Sequence, residues 1–276
     1  MNIIRAHLHL GAAEPFTILH ASDTHLTRAD ERDDARKLAL AGRRTNNFPK
    51  AEQHLQELTA LAQQRGLTVV HTGDLIDFVS AANIDAARGF ADQVDCFMAA
   101  GNHEFSLYVG EAKEDAAYRN ISLDRVNAVF KNNIRFASRI IGGVNFVALD
   151  NSYYLVEQWQ LDRLREEAER GYPIVLALHT PLYSQDMYRQ RAEQGKVNPA
   201  YLMSVPEELM RAYTPDRYEQ QLQDDVTAEA YRFITESGAV KAILTGHLHC
   251  DFEADITPTL RQYVTGIGTV REIVID

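Results

Sequence analysis

The chain has 276 residues, 45% hydrophobic and 24% charged, with only 15 Gly and 8 Pro; this excludes a disordered or fibrous protein and suffices for one large core. Its formal charge of −11, from 28 basic and 39 acidic residues, opposes unassisted binding to the phosphate backbone of a long nucleic acid. Two cysteines make no disulfide framework. The start lacks the pattern of a secretory leader, and no run reaches the roughly 20 apolar residues of a membrane helix, so the expectation is a soluble cytoplasmic protein without a membrane partner.

In chain order, residues 16–20 read as a buried strand that runs into Asp23-Thr24-His25. Residues 51–64 carry Leu55, Leu58 and Leu61 at helical spacing, with Gly66 as the stop. A strand over 67–71 leads to Gly73-Asp74-Leu75-Ile76-Asp77, and one over 96–99 leads to Gly101-Asn102-His103-Glu104. Residues 134–149 form a hairpin turning at Gly142-Gly143, with 144–149 as its second strand. A helix over 156–170 is expected to turn Trp159 and Leu164 inward. Then come a strand over 174–178 ending at His179-Thr180-Pro181, a helix over 227–236, and a strand over 240–244 ending at Gly246-His247-Leu248-His249. Alternating strands and helices predict a layered α/β domain covering 1–276. Residues from about 183 to 225 break the rhythm and read as a cap or insertion over one edge.

The polar clusters all follow strands, where an α/β sheet places its ligand site. A strand running into a loop can aim alternate side chains, such as Asp23 with His25 or His247 with His249, at one point. Imidazoles with carboxylates, and no thiolate set, suit borderline transition metals. A carboxylate can bridge two ions about 3.5–4 Å apart, the spacing used in two-metal phosphoryl chemistry. Each cluster alone has an ordinary reading: Gly-Asn is a turn pair, and Asp74 or Asp77 could cap a helix. Five of them in one order after strands do not.

This succession resembles the signature of the calcineurin-like metallophosphoesterase superfamily, with Asp-x-His, Gly-Asp-x-x-Asp, Gly-Asn-His-Glu, a lone His and Gly-His-x-His all present between residues 23 and 249. The resemblance implies a four-layer αββα sandwich with two divalent transition-metal ions (Mn, Fe, Zn or Co) at the strand ends. Asp23, His25 and His249 would hold one ion and Asn102, His179 and His247 the other, with Asp74 bridging. A hydroxide between the ions would attack phosphorus in line, and His103 would serve the leaving group. Asp77 would either orient His103 or cap the helix that follows.

One departure bears on the substrate. Phosphoprotein phosphatases of the superfamily carry arginine after the second Asp and again after Gly-Asn-His-Glu, where this chain has Phe78 and Phe105-Ser106. Without those grips for a phosphomonoester dianion, the pattern sits closer to small bacterial phosphodiesterases of the class III cyclic-nucleotide type. A small phosphate-ester substrate is expected; a phosphomonoesterase or a nuclease of the same superfamily is the alternative, and a non-catalytic metal-binding scaffold is disfavoured because every ligand is present. His7, His9, His20, His54 and His71 match no ligand position, Cys250 reads as a small residue near the site, and Arg28, Arg43 and Arg44 read as a solvated face. The tyrosines and arginines interleaved over 183–218 suit either base stacking or the core of a cap. Oligomeric state is left open.

Overall fold

The computed structural model describes residues 1–111, 114–192, 195 and 198–276. Two mixed sheets form its centre. In the first, β1 (Asn2–Leu8), β11 (Thr269–Ile275), β2 (Phe16–Ala21), β3 (Thr68–His71) and β4 (Cys96–Met98) lie side by side in that order. In the second the order is β5 (Phe136–Ile141), β6 (Val144–Leu149), β7 (Ile174–Ala177), β8 (Val240–Thr245), β10 (Leu260–Val264) and β9 (Phe252–Thr257). β2, β3 and β4 run parallel, as do β6, β7 and β8, so three carboxyl ends from each sheet point the same way within it.

The strand sequences explain the layering. Successive side chains in a strand face opposite sides, and here both sides are apolar. Ile18 and Val70 face Phe146, Val175 and Leu244 of the other sheet in one core. Their neighbours Leu19 and Val69 turn outward onto Leu55, Leu58, Ile84 and Phe90. These belong to α2 (Ala51–Arg65) and α3 (Ala81–Gln93), beside which α1 (Ala35–Asn47) and α4 (Ala116–Asn127) occur. On the other sheet, Leu176 and Ile243 pack against Leu161, Leu164, Ala230 and Ile234 of α5 (Gln158–Glu169) and α9 (Asp225–Glu236). Three cores separate four layers, helix, sheet, sheet, helix. Cutting Leu176 to Ala would cost about 2–5 kcal/mol, as for other fully buried leucines.

Between β7 and α9 the chain makes only short helices: α6 (Gln185–Met187), a turn over Tyr188–Ala192, a 3-10 turn over Pro199–Tyr201, α7 (Glu207–Met210) and α8 (Pro215–Gln221). Met187, Leu202, Val205 and Met210 close over Phe252, Ala254 and Val264 of β9 and β10, so this segment covers the β9 edge. No described helix is long and apolar enough to cross a membrane.

Several elements escape the apolar-run reading. β11 carries Arg271 and Glu272 in its middle, both buried by ion pairs with Glu253 and Arg65. α1 buries only Leu40. Trp159, expected inward, is 39% exposed: it lies in the first turn of α5, donates to Glu157 and rests edge-on against Phe136, while Gln160, Leu161 and Leu164 take the inward positions.

Candidate metal centre

The six parallel carboxyl ends deliver the five polar clusters to one place. Ligand atoms of Asp23, His25, Asp74 and His249 all lie within 4.8 Å of one another, and so do those of Asp74, His179 and His247. Asp74 belongs to both groups. Its Oδ2 stands 3.2 Å from His179 Nε2 and 3.6 Å from His25 Nε2, while its Oδ1 accepts from the His103 backbone N–H at 2.9 Å. Asn102 Oδ1 sits 3.2 Å from His179 Nε2. All seven sequence-predicted ligands therefore converge, and all but His249 are buried or nearly so.

Tight loops do the aiming. Among the described residues, seven non-glycine residues have positive φ: Asp23, His25, Asp74, Tyr154, His247, His249 and, away from this cluster, Ser204. Left-handed backbone is unfavourable for residues with a Cβ and persists where surrounding structure over-determines it. Here the determinants are visible. Glu104, fully buried, accepts from the N–H groups of Asp74, Leu75 and Gly101 at 2.6–2.7 Å. Asn151 Oδ1 accepts from the N–H of both His179 and Thr180 at 3.0 Å. Gly246 is required because a Cβ there would strike the side chains of Ser22 and Asp23.

Three of the four ligand imidazoles have one nitrogen tied to a partner outside the set. His25 Nδ1 meets Asp77 Oδ1 at 2.9 Å, His179 Nδ1 donates to the Thr72 carbonyl at 2.7 Å, and His247 Nε2 meets the Tyr154 hydroxyl at 3.1 Å. Such partners set the tautomer and leave the other nitrogen as a lone pair. With neutral His179 donating from Nδ1, the centre is acceptor against acceptor: Nε2, Asn102 Oδ1 and Asp74 Oδ2 face one another, and without a cation only a second proton on His179 supplies a hydrogen. A cation reconciles those contacts, and the donor set of imidazole, carboxylate and amide oxygen suits divalent transition ions.

The protonation balance leads to the same conclusion. Burial raises the Asp23 and Asp74 carboxyls, but His25 and His249 around Asp23, and His179 and His103 around Asp74, outweigh it and hold both below the ordinary carboxylate range. Burial lowers His25 and His179, yet hydrogen bonds to Asp23 and Asp77 bring His25 to about 10, and the charge of Asp74 brings His179 to about 9. The carboxylates thus demand positive charge beside them. Burial, with the charge of His179, takes His247 down to about 3. Glu104 is pushed up to about 7 by burial and by Asp74, against the pull of its backbone donors.

His103 stands apart from the convergent set. Its Nδ1 donates to the Asp77 carbonyl at 2.7 Å and lies 3.3 Å from Asp77 Oδ1, and its ring lines a cavity of about 450 Å³. Asp77 does not cap α3, whose cap is Ser80; its carboxylate joins His25, His103 and Arg44. Arg44 is accordingly no solvated residue: it reaches from α1 to Asp77 at 2.6–2.7 Å, whereas Arg28 pairs with Glu52 on the surface. Phe48, just past α1, stacks on His25 with ring centroids 4.1 Å apart. His20 and His71 are core residues bonded to Thr72, Thr265 and Thr24. His7 and His9 meet Asp276 in a separate exposed group.

Sequence reasoning missed Tyr154, Asn151, Glu104 as a backbone clamp, and Phe48. Only Glu104 carried a signal, its place inside a cluster. The cavity is completed by Val109, Gly110, Glu114, Tyr154, Asn198, Tyr201 and Arg217, three of them from the segment between β7 and α9.

The family model described as calcineurin-like phosphoesterase matches residues 16–251. No curated protein matches the chain. Among solved structures, it is similar to phosphopantetheinyl hydrolase from Mycobacterium tuberculosis, at 12% identity and a TM-score of 0.48, over 91% of this chain and 90% of that one. It is also similar to a dimetal phosphatase from Danio rerio, at 14% identity and a TM-score of 0.41, over 92% and 88%. A Staphylococcus aureus protein assigned as a 5'-nucleotidase aligns at 13% identity and a TM-score of 0.47 over 95% of this chain; the chain spans 51% of that relative's length. With the family match covering the whole stretch from β2 to the last histidine cluster, the chain belongs to the calcineurin-like phosphoesterases, a family of metal-dependent phosphoester hydrolases.

Proposed function

We propose that this protein hydrolyses small phosphate diesters with two divalent metal ions, held by Asp23, His25, Asp74 and His249 on one side and by Asp74, Asn102, His179 and His247 on the other. The observation that carries the reading is the convergence of metal-ligating atoms, Asp74 Oδ2, Asn102 Oδ1 and His179 Nε2, on one point. When bound, the two ions would neutralise charge on the phosphoryl oxygens and supply an activated water. The chain's own residues do the rest. Asp77, the Thr72 carbonyl and Tyr154 fix the imidazoles that face the ions. The Asp77 carbonyl holds one proton of His103 on Nδ1, so Nε2, when it carries a second proton, is the atom that would give it to the departing ester oxygen. Phe78 and Ser106, both buried, occupy the positions where phosphoprotein phosphatases place arginines, which supports a diester over a doubly charged monoester.

The test is metal loading followed by turnover. The purified protein should take up close to two transition-metal ions per chain by elemental analysis, and Asp74→Asn should abolish hydrolysis of bis(4-nitrophenyl) phosphate. Metal content near zero after loading, or full activity in Asp74→Asn, would overturn the reading.

A further inference from the structure

We propose that Glu114 is the specificity-determining residue of this site: its carboxylate, built into the cavity wall beside Asn102, turns away the second negative charge of a phosphate monoester and so selects singly charged diesters. This rests on the reading of the cleft as a phosphoesterase site.

Glu114 is held from two sides. Asn102 Nδ2 donates to its Oε1 at 3.3 Å, and Gln220 Nε2, from α8, donates to its backbone carbonyl at 3.1 Å and lies 3.4 Å from its Oε2. The first contact orients the Asn102 amide. Because Nδ2 is engaged by Glu114, Oδ1 is the atom left to face His179. The carboxylate is thus tied to a candidate metal ligand while lining the cavity that also holds His103, His247 and His249.

Arg217 is the counterweight. It lines the same cavity, and its guanidinium lies 5.6 Å from the centre of the Tyr201 ring. Tyr201 in turn stands edge-on to His247, with ring centroids 5.7 Å apart. Among the described residues lining this cavity, and apart from its histidines, Glu114 and Arg217 are the charged side chains, and their formal charges cancel.

The Glu114 carboxylate gives this part of the wall a preference by charge. A monoester carries close to two negative charges at pH 8, a diester one. The second charge would share a cavity of about 450 Å³ with Glu114, and among the described lining residues Arg217 is the one guanidinium or ammonium group that faces it. An alkyl or aryl group in its place brings no repulsion, and a hydroxyl on that group can donate to the carboxylate. At an effective dielectric of about 20, like charges some 6 Å apart repel enough to shift an equilibrium by about a hundredfold, and solvent screening reduces this to about tenfold in an open cleft.

The experiment compares wild type, Glu114→Gln and Arg217→Gln, all metal-loaded. Binding of orthophosphate and of dimethyl phosphate is measured by calorimetry at pH 8, alongside kcat/KM for 4-nitrophenyl phosphate and bis(4-nitrophenyl) phosphate. Glutamine keeps an acceptor for Asn102 Nδ2 and removes the charge. Glu114→Gln should keep its metal, bind orthophosphate about tenfold more tightly, leave dimethyl phosphate within about twofold, and raise the monoester-to-diester ratio of kcat/KM about tenfold. Arg217→Gln, which tests the same charge balance should Glu114→Gln fail to fold, should weaken orthophosphate more than dimethyl phosphate. Unchanged orthophosphate affinity and an unchanged ratio in a Glu114→Gln protein that still hydrolyses esters would overturn the proposal, as would loss of metal, which would reduce Glu114 to a support for Asn102. A wild type that binds two metals yet hydrolyses neither ester would instead overturn the phosphoesterase reading.

Discussion

At the scale of single residues, the site is organised by what stands behind the candidate ligands. Asp77 touches His25, His103 and Arg44 at once, so one carboxylate orients both a candidate metal-facing imidazole and the imidazole proposed to serve the leaving group. Asp77→Asn should weaken metal affinity about 10–100-fold, the usual cost of removing such a partner, which a calorimetric metal titration reads directly. His103 makes no contact of that kind with the convergent acceptors, so His103→Ala should retain the full metal complement while hydrolysis falls about 10²–10⁴-fold, most steeply for poor leaving groups. Elemental analysis beside the rates separates the two outcomes: lost metal would make His103 a ligand. The candidate ligands were legible because each is a metal-binding residue type directly after an apolar run. Tyr154, Asn151 and Phe48 were not, since a tyrosine, an asparagine or a phenylalanine in a loop has no spacing that marks it.

At the scale of elements, function depends on how strands end. Four strands, β2, β3, β6 and β8, hand a polar residue to left-handed backbone, and glycine is needed where a side chain lies against the turn. Gly246 is such a place: Gly246→Ala sets a methyl group against Ser22 and Asp23, and should cost metal at the Asp23 group along with activity. Gly66, the left-handed residue closing α2 with φ 61°, has open space around it. Gly66→Ala should therefore cost about 1 kcal/mol of stability and leave metal content untouched. Denaturant unfolding and metal analysis on the same two variants check the contrast. Strands buried on both faces announced themselves by length and β-branched content. β11 did not, because Arg271 and Glu272 interrupt it and become tolerable only once Glu253 and Arg65 arrive from distant parts of the chain. α1 did not either, because Leu40 is its only buried residue.

At the scale of the whole molecule, the site joins two sheets that are otherwise separate layers. Asp23, Asp74 and Asn102 follow strands of one sheet, and His179, His247 and His249 follow strands of the other. Metal binding would tie the layers together and should stabilise the fold by mass action. At metal concentrations about 100 times the dissociation constant this amounts to about 2.7 kcal/mol, so chelation should lower Tm by about 5–10 °C for a chain of this size. A thermal melt with and without a chelator measures it; an unchanged Tm in protein shown to carry metal would mean that the ions do not bridge the sheets. The layered α/β class, the strands that carry the site and the seven convergent side chains were decided by the sequence alone, because apolar runs and the polar residues that end them are local patterns. The partners of those side chains, the cavity wall from Glu114 to Arg217 and the division of charge across it were decided only by tertiary structure. They depend on which residues, far apart in the chain, the two sheets and the covering segment bring within hydrogen-bonding reach, and no local pattern encodes that meeting.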